Sequence, residues 1–239
     1  MELIHSKLDN GSDNLHLYVH VYGEDHQRVE TYSEVRTTAD GVPCFFALQS
    51  SGTWPSVDGG PVRVGPPAGS SDWLEAEYVS DTSRYFCESR AGSTLPDWLS
   101  DEAIDLRLEG DGNGPLGPYA HDFVRRRMPR FLAPVCSGVF SPDPSGDFQI
   151  TWEGDAQEET RVVLESNMEG APPIFVCKVP SGVTGLTIAR QWLEECCQLN
   201  PGRHLRLEQR TVEHFDVSGA QITLEVLRLS GCAVELDLD

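Results

Sequence analysis

The sequence predicts an α+β protein: two diverged tandem units, each a mostly antiparallel sheet packed by one helix, joined by a helical connector. Three observations predict it. Residues 187–199, TIARQWLEECCQL, form an amphipathic helix, with Leu186, Ala189, Trp192, Leu193, Cys196 and Leu199 at helical intervals on one face. A fainter copy of its centre, Trp73-Leu74-Glu75, occurs earlier in the chain. Strand-like runs flank both copies in matching order, which reads as a duplication. The expected units are residues 1–110 and 146–239, with residues 111–145 as an Arg-rich helical connector.

Thr184 or Thr187 can cap the start of the later helix, and Asn200-Pro201-Gly202 stops it. A helix this short is marginal alone, so its apolar face needs a sheet to cover it. In the earlier copy, Asp72 and Glu75 have the spacing of a capping box. Upstream of each helix lies a strand introduced by Gly-Val-Pro or Gly-Ala-Pro: residues 44–48 in one unit and 173–177 in the other. Further strands are expected at 15–22, 84–88, 104–108 and 148–152, and a short one at 62–64. The chain ends in an expected meander of three strands, 205–212, 221–229 and 233–238. Val217-Ser218-Gly219-Ala220 and Ser230-Gly231 mark its turns.

At 239 residues the chain has room for one large domain or two of ordinary size. Its formal charge is −20, spread evenly, with 21 acidic and 11 basic residues up to residue 133 and 17 and 7 after it. Such a surface repels nucleic acid and anionic membranes and speeds capture of a basic partner. No apolar run has the length of a membrane span. Met1-Glu2-Leu3-Ile4-His5 lacks the basic and apolar regions of an export signal, so the expected location is cytoplasmic. The seven cysteines are an odd number without zinc-ribbon spacing, and they are expected to be reduced, buried thiols.

Motifs that carry chemistry are missing from the linear sequence. There is no GxGxxG, phosphate loop, HExxH, GxSxG or CxxC. His16 and His20 sit four residues apart on one strand face, roughly 13 Å, too far to share a metal. Residues 109–114 space oxygen ligands before a glycine as a calcium loop does, but Ala120 stands where the bidentate Glu is needed and Pro115 intrudes. No cofactor and no metal is expected.

The expected function is therefore a non-catalytic acidic protein-binding module. Its most concrete form is an immunity or inhibitor protein that neutralises a basic toxin or nuclease. The candidate contact residues are Trp54 in the Gly/Pro/Ser-rich stretch 50–72, Asp155, Glu158 and Glu159 in the acidic segment after Trp152, and Arg125, Arg126 and Arg127 in the connector. In so acidic a chain those arginines are expected first to pair with carboxylates. Two other readings stand beside this one: a structural or chaperone-like subunit of an assembly, and an enzyme with an unrecognised site. Oligomeric state is not legible.

Overall fold

The computed structural model describes residues 2–7, 13–19, 29–51, 60–67, 73–79, 84–88, 102–113, 116–136, 146–166, 174–197 and 202–235. The first strands are β1 (Glu2–Lys7), β2 (Asp13–Val19), β3 (Val29–Thr31), β4 (Glu34–Thr37), β5 (Pro43–Phe46) and β6 (Gln49–Ser51). Next come β7 (Val62–Gly65), β8 (Leu74–Val79), β9 (Arg84–Glu88), β10 (Ile104–Asp111), β11 (Pro118–Arg125) and β12 (Arg130–Ala133). The remainder is β13 (Phe148–Glu153), β14 (Thr160–Ser166), β15 (Phe175–Val179), β16 (Gly185–Ile188), the helix α1 (Arg190–Cys197), β17 (Gly202–Val217) and β18 (Ala220–Glu235).

The protein is thus mostly β, and the expected α+β class is wrong. Only α1 is helical among the described residues, and it is shorter than expected because Thr187 and Ile188 belong to β16. Its first amide, Arg190 N–H, donates to Asp147 Oδ1 at 3.0 Å, so a distant carboxylate takes the capping role expected of a threonine. The presumed helix at Trp73 is β8, where alternation prevails over capping-box spacing. Ala76 is fully buried and Glu75 exposed, and β7 and β9 supply hydrogen bonds on either side. Where the presumed helical connector is described it contains β11 and β12 and no helix, and in β11 Phe123 and Arg125 point inward while Asp122 and Val124 point out.

Thirteen strands form one sheet in the order β11-β10-β7-β8-β9-β2-β1-β18-β17-β14-β15-β5-β4. β12, β13 and β16 form a second sheet of three, and β3 and β6 a third of two. The large sheet passes through both proposed units. β5 pairs with β15, while β1 runs parallel to β18. Trp73 and Trp192 also occupy unrelated settings, which removes the basis for the duplication. Trp73 covers the backbone of Gly65, whose added Cβ would lie 2.8 Å from the indole. Trp192 stands edge-on to Phe46 with ring centroids 5.8 Å apart.

The hairpin β17–β18 is the spine. Two strands of 16 residues, each spanning roughly 50 Å, stay paired from Gly202↔Glu235 to Val217↔Ala220. Ser230-Gly231, expected to be a turn, lies within this ladder. The turn at Ser218-Gly219 is where the sequence places it, with φ of 51° and 85°, the paired positive values of a type I′ turn. Gly219→Ala should cost about 1 kcal/mol by urea denaturation, because a Cβ there meets open space and only the left-handed backbone opposes it.

One hairpin carries two apolar cores. Near its tip, Phe215, Val217, Ile222, Leu224 and Val226 meet residues of β7, β8, β10 and β11. The large sheet curls far enough for His121 of β11 to stack on Phe215, 4.0 Å between centroids. Toward the open end, Leu205, Leu207, Cys232 and Val234 join β5, β14, β15, the three-stranded sheet and Leu193 of α1 around Trp152. We call these the tip core and the base core.

Four cysteines are buried or partly buried as expected, but they are not thiols. Cys44 bonds to Cys177 and Cys136 to Cys232. Cys44 and Cys177 are directly opposed on β5 and β15, which brings together side chains 133 residues apart in sequence. No helix among the described residues is long and apolar enough to cross a membrane.

Candidate functional site

Between the two cores the inward face of the hairpin turns polar. On β17 the inward positions read Leu205, Leu207, Gln209, Thr211, Glu213, Phe215, Val217; on β18 Arg228 lies opposite Gln209 and Ser230 opposite Leu207. Gln209 and Arg228 are register partners and both are buried. Polar groups removed from water need partners, and two segments bring them: the bend at 126–129 between β11 and β12, and the turn at 154–159 between β13 and β14.

Gln209 clamps the turn. Its Oε1 accepts from Asp155 N–H at 3.1 Å, and its Nε2 donates to Asp155 O at 3.1 Å and Thr160 Oγ1 at 3.0 Å. Gly154 admits this approach, since a Cβ there would meet the amide at 2.8 Å. Arg228 Nη2 donates to Glu158 Oε2 and, at 3.2 Å, to Thr211 Oγ1; its Nη1 donates to the carbonyl of Arg127 at 3.0 Å. Thr211 Oγ1 donates to Glu158 Oε1 at 2.5 Å. Arg126 reaches Asp155 Oδ2 at 2.8 Å and Glu158 Oε1 at 3.3 Å.

Burial lowers the Arg228 pKa to about 10; Asp155 opposes this and the guanidiniums of Arg126 and Arg125 add to it. Burial works to raise Asp155, but the Gln157 N–H and Arg126 outweigh it and hold the carboxyl below its ordinary value. A carboxylate held ionised in this way is a weak base for proton abstraction. The junction's chemistry is mutual neutralisation and docking.

The chain matches no known family model and no curated protein.

Of the residues the sequence nominates, Arg126, Asp155 and Glu158 are brought together here. Arg127 contributes its carbonyl, while its side chain turns outward to Glu102 at 2.7 Å. Arg125 is buried and donates to the carbonyl of Glu102 at 2.9 Å. Glu159 stands apart, exposed, 3.6 Å from Arg161. Trp54 lies outside the described residues. Sequence reasoning overlooked Gln209, Thr211 and Arg228, although three successive inward polar positions interrupt an otherwise apolar face.

Beside the junction is a cleft of about 330 Å³, lined by Glu102, Arg127, Met128, Pro129, Arg130, Glu153 and Ser230. Its charges face each other in exposed pairs, Arg127 with Glu102 and Arg130 with Glu153 at 3.9 Å. Pairs of this kind exchange partners at little cost. Two apolar side chains, Leu132 and Val135, stand exposed on β12 and just beyond it. Among the described residues no group of three or more His, Cys, Asp or Glu is placed to hold a metal ion.

Proposed function

We propose that this protein is a non-catalytic binding module that engages a basic protein through its acidic exterior, most concretely as an inhibitor or immunity protein. One observation carries the reading: charge is sorted by sign. Among the described residues, the fully buried ionisable side chains are Arg125 and Arg228. The junction sets Arg126 and Arg228 against Asp155 and Glu158, and Arg125 is buried beside it on the carbonyl of Glu102, so the buried cations are not outnumbered by carboxylates. Among the described residues, carboxylates without a buried partner therefore lie toward solvent. Glu102, Asp122 and Glu159 are more than half exposed. Elsewhere arginines are spent internally, as where Arg36 is held between Glu34 and Glu195. The field that remains accelerates encounter with a cationic surface and resists nucleic acid.

The test is stopped-flow association with the basic product of an adjacent gene, at low and high salt. The rate should fall at least about tenfold as salt screens the field; a salt-independent rate, or no binding, removes the reading. The cytoplasmic location expected from the N-terminal residues stands against two disulfides, which persist in oxidising compartments. A meeting with the partner outside the reducing cytosol fits them better. Exposed Leu132 and Val135 favour a second reading, a subunit of a larger assembly. Native mass measurements on material from the source cell would show a stoichiometric complex in that case.

A further inference from the structure

The two disulfides among the described residues are placed unevenly. Cys44, Cys177 and Cys232 are buried members of the base core, and Cys136 is packed against it. The buried residues of the tip core include no cysteine among the described residues. Each bridge fastens a peripheral element to a central one. Cys44–Cys177 ties the outermost hairpin, β4–β5, to β15, where the ladder has three residue pairs including the two cysteines. Cys136–Cys232 ties the chain leaving β12 to β18.

Both links join residues far apart in sequence, 133 and 96 positions, so they restrict the unfolded chain strongly. Cys44, Cys177 and Cys232 are fully buried, and a thiolate can attack these sulfurs only after local opening. The element best placed to open is the β4–β5 edge.

We propose that the protein is redox-sensitive in one half only: the disulfides clamp the base core, and their reduction releases β4–β5 and β12 while the tip core stays folded. Each bridge forms by thiol–disulfide exchange with a protein or glutathione disulfide. Two cysteine thiols give up two protons and two electrons, and the acceptor disulfide leaves as two thiols. Reduction by a dithiol runs the same exchange backwards. This device is independent of the partner's identity, so it stands or falls apart from the binding function.

Two measurements on the full chain test it. Thiol titration of denatured, unreduced protein from an oxidising compartment should find no more than three of the seven cysteines free. Seven free thiols would overturn the proposal. Native-state hydrogen exchange is then compared with and without a dithiol reductant. Amides of 44–46, 130–133 and 175–179 should lose protection at least about tenfold, while those of 104–108 keep theirs. Equal loss in both halves, or none in either, would overturn it. Cys44→Ala/Cys177→Ala should reproduce the loss at 44–46 without reductant while sparing 104–108. Unchanged protection at 44–46 would count against the clamp.

Discussion

Glu158→Ala is expected to destabilise the protein by about 3–5 kcal/mol in urea denaturation. The carboxylate faces Arg228, whose side chain is fully buried, and it also accepts from Thr211 and Arg126. Truncation leaves the buried Arg228 guanidinium without its carboxylate partner, and in the native protein its pKa of about 10 keeps it charged at neutral pH. The sign is informative. A base whose pKa falls on folding penalises the native state at every pH below that value; the Asp155 charge opposes that fall, and Glu158 supplies the direct ion pair. The double variant Glu158→Leu/Arg228→Leu should recover most of the loss, because a hydrophobic pair carries no desolvation debt. Arg228 Nε already lacks a hydrogen-bond partner, so the native pair is not an ideal one. If both variants are equally unstable, the junction is held by packing and not by charge.

Trp152→Ala should cost a similar amount, about 3–5 kcal/mol, through the cavity left in the base core. Trp73→Ala should cost about 1 kcal/mol, since that indole is half-buried and covers a glycine on one side. The comparison separates the observed architecture from the expected one. In a duplicated fold pinned by Trp73 and Trp192, Trp152 would hold no special place. Parallel urea titrations decide it, and equal losses for Trp152 and Trp73 would speak against the two-core description.

Local features were the legible ones. Strand-like runs located strands at 104–108, 148–152 and 84–88, and Ser218-Gly219 marked a turn that the structure builds with two positive φ values. Capping-box spacing at Asp72 and Glu75 misled, because it is a weak local preference that pairing with β7 and β9 overrides. Non-local pairing was not legible. Nothing near Cys44 in sequence signals Cys177, and the assumption of a reducing compartment closed off the disulfide reading. For the same reason the candidate site was half visible. Arg126, Asp155 and Glu158 drew notice as charge clusters, but Gln209, Thr211 and Arg228 mattered because they break the hairpin's apolar face. That interruption can be read only once the strand is known to be 16 residues long.

Scanning calorimetry of the oxidised protein tests most directly whether one hairpin and its polar junction couple the two cores. A single transition whose van't Hoff and calorimetric enthalpies agree is expected. Glu158→Ala should shift it to lower temperature as a whole. Two resolved transitions in the unaltered protein, one for each core, would contradict the coupling.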